Sequence, residues 1–208
     1  MKPGFFILEG CEAAGKTTQL KLIEKALTER GYNVLTTHEP GGTAIGEGIR
    51  TILLDPAHAG TIQPFTNLLL FNASRHQWMK EVVMPALAAG KIVIGDRSFL
   101  STMVYQSYVE GLDAEFTKSV CVQAMGGVMP DKIFLLDLPV EEIRRRLSAA
   151  AEKTTRYDVM DDSFHAKVRE GYLAQIEKFP GLIEKMDGMA PVGEISDKIV
   201  GDIIAAVG

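Results

Sequence analysis

Short apolar runs alternate along this chain with longer stretches of helical period. Residues 5–8 (FFIL), 33–37 (NVLTT), 91–95 (KIVIG) and 132–136 (KIFLL) are apolar or β-branched and bounded by turn residues, and 183–186 is a fainter fifth run. Each has the length and composition of a buried strand. The intervening stretches predict helices at 17–30, 44–54, 65–89, 99–108, 113–126, 140–150, 161–178 and 194–207. The first sets Leu20, Ile23 and Leu27 on one face and stops at Gly31, as glycine does beyond a helix end. Strands alternating with helices imply an α/β fold in which a parallel sheet is covered on both faces. No repeat, low-complexity tract or linker divides the 208 residues, so the chain reads as one domain.

Composition narrows the function classes. Apolar residues make up 46% and charged residues 24%, within the range of globular proteins. The net charge of -5 argues against a dedicated nucleic-acid binder. It leaves room for a phosphorylated small molecule, which needs only a few placed cations. No run approaches the ~18 apolar residues of a membrane span, and the N-terminus lacks the pattern of a signal peptide. The two cysteines are Cys11 and Cys121, and the first lies in the most chemically loaded segment of the chain. A structural disulfide is therefore not expected, and a cytoplasmic location is.

That segment is GCEAAGKT, residues 10–17, a full match to G-x-x-x-x-G-K-[ST] between a strand and a helix. Glycines permit a tight loop whose backbone N–H groups converge on an anion, and the helix start adds its positive dipole end. Gly10, Cys11, Glu12, Ala13, Ala14, Gly15, Lys16, Thr17 and the following Thr18 are the candidate ATP-binding residues. Lys16 suits the β- and γ-phosphates, and the Thr17 hydroxyl suits Mg2+. Cys11 near a helix N-terminus is either a thiol drawn toward the thiolate or an inert core thiol.

The loop alone leaves ATPases, GTPases and small-molecule kinases open. None of Asn33, Asn67 and Asn72 begins the N-K-x-D motif by which a GTPase reads its base. A mechanical ATPase would carry an acidic pair at a strand end. Here the strand ends read Gly95-Asp96-Arg97 and Leu136-Asp137-Leu138, the first a carboxylate beside a guanidinium. That pairing suits a metal-water shell and a phosphate together.

The blocks FFILEGCEAAGKTTQ, THEPGGTAIGEGIR, LLFNASR, IVIGDRSFLSTMVYQ, PDKIFLLDLP and TRYDVMDDSFHAKVREGY resemble, in order and spacing, the signatures of the thymidylate kinase family. The resemblance covers about residues 4–178 and is looser beyond. It implies a P-loop, nucleoside-monophosphate-kinase-like three-layer α/β/α fold with a five-stranded parallel sheet and a short lid at about 147–160. It implies transfer of the γ-phosphoryl group of ATP to dTMP with Mg2+, and a homodimer formed through helices that include 65–85 and 113–126. Other nucleoside monophosphates or small alcohols remain alternative acceptors, and a non-kinase P-loop ATP-binding protein is an alternative of another class.

The resemblance also assigns roles. Glu12 meets the acceptor's 3′-hydroxyl. Phe71 stacks on thymine and Arg75 hydrogen-bonds its O4, the i, i+4 spacing placing both on one helix face. Arg97 clamps the acceptor phosphate against the γ-phosphate, Asp96 holds the metal's water shell, and Arg50 is a second phosphate ligand. Tyr105 crowds the sugar 2′ position, Gln106 touches the base edge, Ser101 belongs to the same block, and Pro40 shapes the pocket wall.

Two departures bear on the lid. Some relatives place an arginine in the loop where this chain has Ala13, whereas others carry extra lid arginines where it has Ala149 and Ala151. Arg144-Arg145-Arg146, Lys153 and Arg156 are the cations nearby, and the expectation is that Arg156, helped by Lys153, closes over the phosphates. His38 stands where the family commonly has arginine before Glu-Pro-Gly-Gly.

Overall fold

The computed structural model describes residues 2–149 and 155–208. Five strands form one parallel sheet: β1 (Gly4–Gly10), β2 (Val34–His38), β3 (Ile92–Asp96), β4 (Lys132–Asp137) and β5 (Ile183–Asp187). Their order is β2-β3-β1-β4-β5. All seven residues of the central strand β1 are buried, as a parallel strand covered on both faces requires. Because every pairing is parallel, the carboxyl ends share one edge of the sheet, with Leu8 of β1 beside Asp96 of β3 and Gly10 beside Leu136 of β4. From β1 the chain crosses to the edge strand β2, comes back to β3 beside β1, and then passes to β4 and β5 on the other side, a reversal that opens a crevice at the carboxyl edge.

Helix α1 (Lys16–Glu29) follows the phosphate loop and buries Ile23 and Leu27 against the sheet. Helix α2 (Ala44–Leu54) is capped by Thr43, whose hydroxyl accepts from the Gly46 N–H at 2.9 Å. The predicted helix over 65–89 is broken in the middle. Helix α3 (Pro64–Trp78) passes through a π-helical stretch, Met79–Val83, into α4 (Met84–Ala88). Pro85 has no N–H to return to the preceding turn, so the ladder cannot keep the α register there. The predicted helix over 99–108 is likewise a short α5 (Phe99–Thr102) that widens into a π-helix, Met103–Val109. Helices α6 (Ala114–Ala124), α7 (Val140–Ala149), α8 (Asp162–Lys178) and α9 (Val192–Val207) complete the layers.

The core runs along both faces of the sheet, from Phe5, Ile7 and Trp78 on one side to Phe6 and Phe134 on the other. Trp78 also donates from its indole nitrogen to the Thr37 hydroxyl at 2.9 Å, so the helix carrying the candidate base-reading residues is pinned to β2. On the outer faces of α3 and α6, Phe65, Leu69 and Phe116 are each about half exposed, and the two phenylalanine rings lie 6.0 Å apart. Among the described residues no helix is long and apolar enough to cross a membrane.

Candidate active site

The phosphate loop turns sharply off β1. Gly10 takes a φ of 144°, and a Cβ there would fall 2.6 Å from the Leu136 carbonyl oxygen, so no other residue fits. Lys16 opens α1 with its ammonium folded over the loop, donating to the carbonyls of Gly10 (3.2 Å) and Cys11 (3.0 Å). Burial pulls its pKa below the ordinary lysine value, and the Arg97 charge adds to that. A phosphate arriving here meets a desolvated cation. The Cys11 side chain is buried, and burial, helped by the Glu12 charge, pushes its thiol up to about 12. The inert core thiol is thus the alternative the structure supports, and both cysteines are free and buried.

At the end of β3, Arg97 takes a φ of 69°, rare for a residue with a side chain. Such a conformation costs about 1–3 kcal/mol and persists only where the surroundings over-determine it. They do so here. The Arg97 N–H donates to the Leu8 carbonyl (2.9 Å). Its guanidinium donates to Ser101 Oγ (3.1 Å), the Tyr172 hydroxyl (2.8 Å) and Glu12 Oε1 (3.2 Å). It also lies over the Tyr105 ring, 5.5 Å from the centroid.

Beneath it is Glu9, wholly buried in β1. Glu9 Oε1 accepts from the N–H groups of Ser98 (2.9 Å) and Ser101 (3.1 Å), and Oε2 from the hydroxyls of Ser101 (2.7 Å) and Tyr172 (2.9 Å). This carboxylate fixes the start of α5 and two of the groups around Arg97, Ser101 and Tyr172, yet it was not among the sequence-derived candidates. Its one signal in the sequence is a charge inside an otherwise apolar strand, FFILEG.

Glu12 faces the cleft from the loop. Burial alone would raise its pKa, but the His165 ring, Arg97, the Tyr105 hydroxyl (2.6 Å from Oε1) and Lys16 outweigh it, and the carboxyl is held down at about 2.

These groups open onto one cleft of about 390 Å³. The loop residues Glu12 to Thr18 form one wall, with Asp96 and Arg97 at the floor. Pro40, Arg50 and Phe71 line the far wall, and Ser101, Tyr105 and Gln106 the side from α5 onward. Thr155, Tyr157 and Asp158 close it above. Arg50 donates to the Pro40 carbonyl at 2.7 Å, which ties α2 to that wall. His38 pairs with Glu47 at 2.7 Å on the rim.

Of the predicted residues, Gly10 and Cys11 at the start of the loop are not among those that line the cleft, and two arginines also sit elsewhere. Arg75 does not line the cleft; it lies behind Phe71, fully buried. Its Nε donates to Glu39 Oε2 (2.9 Å), its Nη1 to Asn72 Oδ1 (2.7 Å) and Cys121 Sγ (3.4 Å), and its Nη2 to Thr102 Oγ1 (2.8 Å), with Glu39 Oε1 2.5 Å from Nη2. All five N–H groups therefore have protein partners. The i, i+4 spacing placed Phe71 and Arg75 on one face, as expected, but Glu39 draws the guanidinium deeper than the ring.

Arg156 is also absent from the cleft lining. Its Nη2 donates to Asn67 Oδ1 (2.7 Å) and the Tyr157 hydroxyl (2.8 Å), and the guanidinium lies 4.7 Å from the Tyr157 ring centroid. In this position it braces Tyr157 instead of covering phosphates. Lys153 lies outside the described residues. Of the cations near the sequence-predicted lid, Arg146 touches the loop, donating to the carbonyl of Ala13 (3.2 Å) and also to that of Gly188 (3.4 Å). Its place in an Arg-Arg-Arg run gave no sign of which of the three faces inward.

The chain resembles known proteins along nearly its whole length. The thymidylate kinase family model matches residues 8–199. The chain is 42% identical over 201 residues to a thymidylate kinase of Caldanaerobacter subterraneus subsp. tengcongensis, covering 96% of this chain and 94% of that protein. It is 39% identical over 205 residues to one from Chlamydia trachomatis serovar L2, covering 98% of this chain and all of that protein. A crystal structure of thymidylate kinase from Ehrlichia chaffeensis superposes with a TM-score of 0.77 at 27% identity, covering 98% of this chain and 99% of that one.

The low pKa of Glu12 makes a test in acid. A carboxyl held at about 2 in the fold, against an ordinary 4.5, contributes stability that is complete above 4.5 and lost as pH falls toward 2. Glu12→Gln should therefore flatten the pH dependence of the unfolding free energy in that window, measured by chemical denaturation. A phosphate loop at the carboxyl edge of a 2-3-1-4-5 parallel sheet, an Asp-Arg pair across from it and the matching relatives together place the chain in the thymidylate kinase family of phosphotransferases.

Proposed function

We propose that this cleft transfers the γ-phosphoryl group of ATP to dTMP, with the donor on the phosphate-loop side and the acceptor between Phe71 and Tyr105. The observation that carries the reading is the convergence of Lys16, Arg97 and Phe71, from three separate elements, on one cleft. Phosphoryl transfer needs alignment and positive charge around the moving group more than acid-base chemistry. Lys16 approaches from the donor side. Arg97, already locked by Glu9, Glu12 and Tyr172, presents its guanidinium where donor and acceptor phosphates would meet. Arg50 lies on the acceptor wall as a second phosphate ligand.

Mg2+ fits this donor set. Thr17 and Asp96 line the cleft together, and no group of three metal-ligating side chains occurs among the described residues. One hydroxyl and one carboxylate suit an ion that keeps several waters and takes its other ligands from phosphates. When bound, the ion would neutralise charge on the phosphate oxygens.

On the acceptor side, Phe71 stacks on the base, and the Tyr105 hydroxyl and Glu12 carboxylate form one polar edge for the sugar. Arg75 reads the base carbonyl by exchanging a protein partner; two of its partners, Glu39 and Thr102, line the cleft, and the neutral Thr102 hydroxyl is the one to be exchanged. Gln106 joins through Glu110 to Asn67 and so to Arg156. Arg146 flanks the donor through its contact with the loop, and Arg156 and Lys153 belong to the lid that closes above. A cytoplasmic location suits a site built on buried free thiols. A homodimer would cover Phe65, Leu69 and Phe116, which are otherwise half exposed.

A coupled assay over a panel of monophosphates tests the reading: dTMP should outcompete dUMP and AMP as acceptor, and ATP hydrolysis without dTDP formation would refute it. Arg97→Lys should lower kcat about 10²–10³-fold, because a point charge cannot make the three directed contacts of the guanidinium. Phe116→Glu should shift the protein toward monomer in sedimentation velocity, with its secondary structure intact by circular dichroism.

A further inference from the structure

Glu9 and Glu12 differ in how their oxygens are satisfied. Both oxygens of Glu9 accept hydrogen bonds. Glu12 Oε1 accepts from Tyr105 and Arg97, but Oε2 is buried with no hydrogen-bond donor among the described residues. The ring nitrogens of His165 are buried without hydrogen-bond partners as well. His165 Nδ1 faces Glu12 Oε2 at 3.6 Å. Three buried polar atoms without hydrogen bonds thus lie at one place, against a carboxylate that lines the cleft, and such groups are ordinarily satisfied.

The elements explain how they meet. Asp161 caps α8 by accepting from the Phe164 N–H at 2.9 Å, which sets the first turn. Phe164 then packs on Tyr105 and Tyr157, in the aromatic wall of the cleft, and His165 follows it inward behind Glu12. A closure of about 0.8 Å between Nδ1 and Oε2 would bring the pair to hydrogen-bond length.

We propose that His165 is a positioning residue for the acceptor sugar: its Nδ1–H donates to Glu12 Oε2 and fixes the plane of the carboxylate, so that a cleft-facing lone pair is aimed at the 3′-hydroxyl. With Oε1 held by Tyr105 and Arg97, a donor on Oε2 removes the last rotational freedom of the group. The inference rests on the reading of Glu12 as the sugar contact. His165 itself does not line the cleft, so it acts only through Glu12.

The test compares His165→Phe, which keeps a ring without donors, with His165→Asn, which keeps an N–H near the Nδ1 position. Each is assayed with dTMP and with 3′-deoxythymidine monophosphate. His165→Phe should raise the KM for dTMP about tenfold, the lower end for losing a hydrogen bond to a charged group. It should leave the KM for ATP and for the 3′-deoxy acceptor unchanged, and His165→Asn should restore most of the loss for dTMP. An unchanged dTMP KM in folded His165→Phe overturns the proposal. So does an equal loss with both acceptors, which is the mark of packing alone. If His165→Phe does not fold, His165→Leu replaces it under the same criteria. Should the unaltered enzyme fail to distinguish the two acceptors, the sugar reading of Glu12 falls and takes the proposal with it; discrimination kept undiminished in His165→Phe sinks only the role of His165.

Discussion

Arg97 is held in a left-handed backbone conformation with its guanidinium between two buried carboxylates, and the cleft is organised around that constraint. A partly buried cation needs compensating charge and directed acceptors to offset its desolvation. Glu9 and Glu12 supply the charge from the last turn of β1 and the loop beyond, while Ser101 and Tyr172 supply acceptors from α5 and α8. The same contacts tie three parts of the chain to one point. Arg97 is therefore pre-aligned, and in the proposed reaction it needs no reorganisation to meet a phosphoryl group, the condition under which electrostatic stabilisation is most effective.

A buried pair organises the wall of the cleft that carries Pro40 and Phe71. Arg75 and Glu39 join α3 to the turn after β2, with every guanidinium N–H engaged. Pro40 and Phe71, which line the cleft, flank this pair in sequence and are carried by it. The two centres use one device. In each, a charged residue just beyond or at a strand end is matched by an opposite charge from another element, and the neighbours of both become the wall. The described residues around Arg146 and Arg156 are lighter in such contacts. Arg156 braces Tyr157 against Asn67, and Arg146 touches the phosphate loop only through a carbonyl.

Much of this was legible in local pattern. The phosphate loop, the order of strands and helices, and the Asp96-Arg97 pair depend on short-range rules: glycine where φ must be positive, apolar runs where both sheet faces are covered, a helix start where an anion is held. The interruptions at Met79–Val83 and Met103–Val109 were less visible, because a π-helical stretch keeps the apolar pattern of an α-helix while changing its register. Pro85 was the one local sign of the first.

The sequence by itself determined the chemistry available: a loop for phosphates, a guanidinium beside a carboxylate, an aromatic and an arginine on one helix face. Tertiary structure alone decided which of these groups face the cleft. Helical spacing says that Phe71 and Arg75 share a face, but Glu39, 36 residues away, pulls the arginine behind the ring. Three consecutive arginines look alike until α7 packs beside the loop and turns Arg146 toward Ala13. Glu9 reads as one charge in a strand, and His165 as one ring in a helix, until folding sets them under Arg97 and behind Glu12. The reason is the same in each case: the energy of a buried charged or polar group is set by partners distant in the chain, and short-range pattern carries no information about them.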